Sequence, residues 1–204
     1  MNLLDLATQR RACHQFEVGY KIENKDFLKI LEPVRFTPSG YNAQPWKFQL
    51  VRDNAVLQKI YSIAFKQQHI LDAGNLVIVR GDREFGEYEC ERILAEWEQY
   101  RGFSTDQLQA LRASLRKERP EPQKREMVLR NCALAAMSFL ISATEQGFAT
   151  CPMMGFSQKK LATILDFPPT HIPILLIALG KASKTQAIDP PFPRKTAEEI
   201  AIID

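Results

Sequence analysis

Apolar residues recur along this chain with two different periods, and the switches between them lay out its elements. Leu3, Leu4, Leu6 and Ala7 suit a short amphipathic helix that ends near Arg10 and Arg11. Asn24 is placed to cap a second helix, with Phe27, Leu28, Ile30 and Leu31 on its buried face and Pro33 weakening its end. Pro38, Ser39 and Gly40 open a loop. Residues 47–52 alternate apolar and polar and predict a strand. Asp53 and Asn54 then cap a helix that buries Val56, Leu57, Ile60, Ile63 and Ala64. Residues 75–80, NLVIVR, form a continuous apolar strand ended by Gly81.

The charge-rich run 84–124 keeps a helical period and is broken at Gly102 and Pro120. Residues 126–146 are apolar but rich in small side chains, among them Cys132, Ala133, Ala135, Ala136 and Ala143. Small residues let a helix pack closely on more than one face, so this stretch predicts a central helix, with Gly147 as its C-cap. A short helix over 157–165 and a buried strand over 173–179, ended by Gly180, follow. From residue 188 the tail begins DPPFPRK within a few residues and shows no core period until Ile200. Clustered prolines make it extended and unable to pack on itself. Helices outnumber strands, so the class is α+β. The expected organisation is one domain over 1–204, with a helical excursion around 84–124 and an extended tail over 188–204.

Composition narrows the function classes. The chain has 204 residues, 45% of them hydrophobic and 25% charged, which supplies an ordinary core without a disulfide or metal staple. A net charge of +3, with both signs interspersed, leaves no footprint for nucleic acid. Cys13, Cys90, Cys132 and Cys151 form no C-x-x-C and do not stand at metal-ligand spacing from His14, His69 or His171. Buried thiols in a reducing compartment, and no metal site, are the expectation. Asp5 interrupts the first apolar run, and the apolar runs are shorter than a bilayer needs, so a cytoplasmic protein without a membrane span is expected. No H-E-x-x-H, G-x-S-x-G or G-x-G-x-x-G occurs. Gly81 and Gly86 have the glycine spacing of a phosphate loop, but Glu87 stands where lysine is required.

Three segments carry the chemistry. Residues 37–48, TPSGYNAQPWKF, combine turn formers with Asn42 and Gln44, whose amides suit a planar heterocycle. On residue types alone, a loop anchored by a core Trp46 is the simpler reading. Arg10 and Arg11 lie at a helix end, where guanidinium groups suit a phosphate or merely meet solvent. Residues 147–156, GFATCPMMGF, make a turn with two methionines that is equally at home in a core.

Taken together, in this order and spacing, the segments resemble the nitroreductase family. Residues 37–48 are similar to the family's S-P-S-x-x-N-x-Q-P-W-x-F. Residues 10–16 resemble its R-R-S-x-R-x-F, with Ala12 in place of a hydroxyl residue and His14 in place of Arg or Lys. Residues 147–156 resemble G-L-G-T-C-P-I-x-G-F, and 64–73, AFKQQHILDA, a family segment in which Lys66 replaces an Asn. Residues 193–200 resemble K-P-R-K-P-L-E-E-I.

The resemblance implies a three-layer α/β/α fold with a small mixed sheet, a domain-swapped C-terminal tail, and a homodimer with FMN at its interface. It implies that Arg10, Arg11, Ala12, His14, Arg194 and Lys195 serve the phosphate and ribityl end of FMN. Asn42 and Gln44 would lie near the ring and ribityl chain, and the segment with Pro38 and Ser39 would come from the partner subunit. Lys66 and Gln67 would meet the pyrimidine, and Pro152, Met153, Met154 and Gly155 would lie along the ring, with a backbone N–H near N5. The implied reaction is ping-pong hydride transfer from NAD(P)H to a nitroaromatic, quinone or similar acceptor. Because the cofactor does the chemistry, no catalytic side chain is expected. Arg83, Arg92 and Tyr100 are further candidates for substrate contact, but a solvated helix face explains them more simply. A non-catalytic flavin-binding module stays open as an alternative. So do flavin cleavage, dehalogenation or enoate reduction on the same scaffold.

Overall fold

Two continuous apolar runs become the two inner strands of one sheet. In the computed structural model, which describes residues 2–184 and 192–203, β2 (Leu76–Asp82) and β4 (His171–Gly180) pair with each other. Leu76, Val77, Ile78 and Val79 are fully buried, as are Leu176, Ile177, Ala178 and Leu179. Successive side chains on a strand point to opposite faces, so such runs need cover on both sides. They have it. Val77, Val79, Ile177 and Leu179 enter one apolar cluster, while Leu76, Ile78, Leu176 and Ala178 enter the other. The half-polar β1 (Trp46–Val51) and the short β3 (Ala149–Met153) are the edges, in the order β1-β2-β4-β3.

All three ladders run antiparallel, where a mixed sheet was expected. The parallel pairing is confined to an isolated bridge between Ala12 and Thr150, which lays the N-terminal segment along β3. Pro152 sits well on that edge because it has no N–H to offer a further strand.

One layer holds α2 (Asn24–Val34), α5 (Phe85–Tyr88), α6 (Cys90–Arg101), α7 (Thr105–Leu115) and the long α8 (Glu121–Glu145). The other holds α3 (Asn54–Ile63), α4 (His69–Asp72) and α9 (Gln158–Ile164). The result is the expected α/β/α sandwich. The short α1 (Leu3–Gln9) buries Leu6, and α10 (Ala197–Ile200) closes the described tail. Of the tail expected over 188–204, residues 188–191 and 204 lie outside the described residues.

Small residues decide how closely α8 sits. Val128, Cys132, Ala135, Phe139 and Ala143 are fully buried in the cluster that includes Val77 and Val79. Gly81 lies beneath them, where a Cβ would overlap Val128 Cγ1 and stand 2.7 Å from Cys132 Sγ. The helix begins at Glu121, earlier than its apolar period suggests, because Pro122 is compatible with a first turn whose N–H groups have no intrahelical partner. Among the described residues, α8 is the one helix long and apolar enough to cross a membrane, with a mean hydropathy of 1.4 over the relevant window. The count of uninterrupted apolar runs missed this, since polar residues spaced along the helix break the run without ending the helix.

One buried amide ties the N-terminal segment to the sheet. Asn75 accepts from Ile22 N and donates to the carbonyls of Tyr20, Ala73 and Leu179, each at 3.0 Å. This fixes the stretch Tyr20–Ile22 that follows the Arg10–His14 segment.

Candidate functional site

Three of the segments singled out from sequence converge at the edge formed by β3. Beside the Ala12–Thr150 bridge, Cys13 N donates to Thr150 O at 2.9 Å. Phe16, buried and bridged to Ala182, pins the segment beyond it. Gln67 Nε2 donates to Ala64 O at 3.1 Å and to Gly155 O at 3.2 Å, joining the loop after α3 to the turn after β3. His69 Nε2 lies 3.0 Å from Met153 Sδ. The structure thus gathers Arg10, Arg11, Ala12, His14, Lys66, Gln67, Pro152, Met153, Met154 and Gly155 into one region.

The donors there are unevenly committed. Arg11 turns its Nη1 back onto the carbonyls of Thr8 and Arg10. Arg10 makes no side-chain hydrogen bond or ion pair among the described residues, so its fork is available for an anion. Lys66 is exposed and likewise unpaired among them. Two large apolar side chains of the same region are left in solvent, Met154 at 83% and Phe65, next to Lys66 in the chain, at 82% exposure. Gly155 is tight against the Phe65 ring, where a Cβ would stand 3.0 Å from it. Free cations beside exposed apolar side chains and close-approaching backbone suit a flat, anionic aromatic ligand.

The second group stands apart. Pro38, Ser39, Asn42 and Gln44 form a loop held on α6 and α8. Ser39 Oγ accepts from Gln44 N at 3.0 Å, and Gly40 N donates to Asn131 Oδ1 at 3.0 Å. Asn42 Nδ2 donates to Glu96 Oε2 at 2.9 Å, while Gln44 Nε2 reaches Asn42 O at 3.3 Å. Desolvation pushes the Glu96 carboxyl up, but hydrogen bonds from Arg92 and Asn42 outweigh it and hold it below its ordinary value. Trp46 anchors the loop in the core, as expected. A cleft of about 570 Å³ opens here between Ser39, Asn42, Trp97, Tyr100 and Arg101. Tyr100 therefore lines a cavity. Arg92 is occupied by Glu89 and Glu96, and Arg83 by Glu121 and the carbonyls of Pro169 and Thr170.

No hydrogen bond or ion pair among the described residues joins this loop to the β3 group. Arg194 and Lys195 are exposed on the tail, with Arg194 Nη1 donating to Phe192 O at 3.0 Å.

Backbone strain marks both groups. Tyr41, Asn42, Gln44, Phe65 and Lys66 have positive φ between 47° and 59°, and Asp166 is the remaining such non-glycine among the described residues. Left-handed backbone at non-glycine residues costs energy and collects at ligand sites. Five of these six residues fall in the two loops 41–44 and 65–66.

Sequence reading missed two members of the β3 region. His69 packs its ring against His14 with centroids 5.1 Å apart, and burial, then His14, lower its pKa. Cys151 is buried beside them, its thiol pushed up to about 11 by that burial and then by Cys13. His14, His69 and Cys151 offer ligand atoms all within 4.8 Å of one another. Separation along the chain hid this trio, and the expectation of no metal-ligand arrangement was drawn from linear spacing alone.

The nitroreductase family model matches residues 7–181. MhqN of Bacillus subtilis (strain 168), named as an NAD(P)H nitroreductase, is 30% identical over 201 residues, covering 95% of each chain. The crystal structure of ydfN from Bacillus subtilis, named as a nitroreductase, superposes with a TM-score of 0.88 at 27% identity, covering 98% of this chain and 97% of that one. A nitroreductase from Exiguobacterium sibiricum 255-15, solved in complex with FMN, has the same fold, with a TM-score of 0.85 at 21% identity over 100% and 98% of the two chains. With the arginine run, the β3 turn and the strained loops all falling inside the matched span, the chain belongs to the nitroreductase family.

Proposed function

We infer that this protein is an FMN-dependent oxidoreductase that takes reducing equivalents from NAD(P)H and passes them to a nitroaromatic, quinone or similar acceptor in a ping-pong cycle. The observation that carries the reading is the β3 region, which brings the segment of the unpaired Arg10, exposed Lys66 and the Gly155 backbone to one sheet edge together with exposed Met154 and Phe65. Those donors fit a phosphorylated planar cofactor. When bound, FMN supplies reversible hydride chemistry at its ring.

The chain's own residues then have distinct tasks. Arg10, Arg11, Arg194 and Lys195 hold the phosphate, Arg10 most directly because Arg11 is partly spent on carbonyls. Ala12 and His14 border the chain between phosphate and ring. Lys66 would supply a positive charge to the ring end of the cofactor, and Gln67 fixes the turn that presents Gly155. Pro152, Met153, Met154 and Gly155 bound the ring, and a backbone N–H of the last two serves as donor. The loop of Pro38, Ser39, Asn42 and Gln44 acts from a second copy of the chain, completing the site across a dimer. No side chain is asked to act as nucleophile or acid, so positioning and electrostatics are the whole contribution.

Steady-state oxidation of NADH or NADPH at several fixed quinone concentrations tests this. Parallel double-reciprocal lines are expected. Flavin-loaded protein that turns over neither nicotinamide with any quinone or nitroaromatic would instead support a non-catalytic flavin-binding module.

A further inference from the structure

Going beyond the flavin reading, we propose that His14, His69 and Cys151, with Met153 as fourth donor, form a site for Cu(I). The three elements that meet there supply the donors by construction. Cys151 and Met153 are two apart on β3 and therefore share a face. His69 comes from α4 with Nε2 3.0 Å from Met153 Sδ, and His14 comes from the segment bridged to β3 at Ala12. One ligand atom from each of His14, His69 and Cys151 lies within 4.8 Å of the other two.

Metal bonds of about 2.0–2.3 Å in a tetrahedral arrangement place neighbouring ligand atoms roughly 3.3–3.8 Å apart. Closure thus needs side-chain adjustments of about an ångström, within the reach of rotamers. His69 and Cys151 are buried, which fixes them, while His14 is exposed and gives an ion its entry.

The donor set selects the metal. Two imidazoles, a thiolate and a thioether contain no hard oxygen, which argues against Mg²⁺, Ca²⁺ and Mn²⁺. Zinc sites use Cys, His and carboxylate ligands, whereas thioether together with thiolate favours Cu(I). Binding replaces the Cys151 S–H bond with S–Cu, and the proton leaves to solvent. No electron is transferred. Cys13 does not enter, because its Sγ is turned to Gln15 O at 3.1 Å.

The test is an anaerobic titration of the full chain, as purified, against a chromophoric Cu(I) chelator. One equivalent withdrawn per chain is expected, with Cys151→Ser weakening binding at least tenfold and Met153→Leu at least threefold. Copper withdrawn equally by wild type and Cys151→Ser, or none withdrawn by wild type, overturns the site. Wild-type affinity in Met153→Leu overturns the choice of Cu(I). Cys151 is outside the proposed flavin contacts, whereas His14 and Met153 are among them, so unchanged flavin absorbance and circular dichroism in Cys151→Ser keep this result separate from the cofactor reading, and Met153→Leu is compared with wild type at equal flavin content.

Discussion

At the scale of single residues, the account turns on which charges are free. A guanidinium with no side-chain partner has its full fork to offer a phosphate; Arg10 is in that position among the described residues, while Arg11 gives Nη1 to the carbonyls of Thr8 and Arg10. Arg10→Ala should weaken FMN binding at least tenfold, on the order of the 1.5–3 kcal/mol of a charge-assisted hydrogen bond, and leave the melting temperature within a degree or two. Fluorescence titration of released flavin measures it, and unchanged affinity would remove Arg10 from the phosphate site. His171 makes a different kind of prediction. Burial lowers its pKa, Arg80 and Lys47 act in the same direction, and Asp82 opposes them. The unfolded chain therefore takes up a proton at higher pH than the folded one. Stability should be full above the usual histidine value of about 6.5 and fall as pH drops through it. His171→Asn should flatten that part of the urea-midpoint profile. Residue type alone marks Arg10 and Asn42 as candidates. It could not tell that Asn42 spends its amide on Glu96 or that His69 meets His14, because those partners are set by folding.

At the scale of elements, packing distance is set by the absence of side chains. Gly81 on β2 faces Cys132 and Val128 on α8, and no Cβ fits between them. Gly81→Ala should cost about 2 kcal/mol through overpacking. A denaturant midpoint that does not fall would show that α8 can lift from the sheet without penalty. The elements themselves were largely legible. Asp53 caps α3, Ser157 caps α9 and Gly102 ends α6 in a left-handed turn, each a local signal acting locally. The misses have local causes too. Glu23 rather than Asn24 precedes α2, and Gly81 continues β2 instead of ending it, because the pairing with Trp46 and Ile172 holds it in the ladder. A mixed sheet was expected from the resemblance, but the described ladders are all antiparallel, because neighbour relations within a sheet depend on long-range pairing that local motifs do not encode.

At the scale of the whole molecule, the predicted cofactor contacts form two groups, one on the β3 edge and one on α6 and α8. A single chain does not join them through any described hydrogen bond or ion pair. That division is what a site shared between two copies requires. If the proposed dimer holds the flavin, flavin release should rise as the protein is diluted until copies separate. Flavin retention that is independent of concentration while the protein dissociates would mean that one chain binds the cofactor alone. The family and a partner-donated segment were readable from motifs spread along the sequence, whereas the hold of Asn42 on Glu96 and of Gly40 on Asn131 became visible only with the fold.

The most direct measurement is the visible spectrum of the purified protein during anaerobic addition of NAD(P)H and then a quinone. The account predicts an oxidised flavin spectrum that bleaches with the nicotinamide and returns with the quinone. Colourless protein that takes up no added FMN would contradict it.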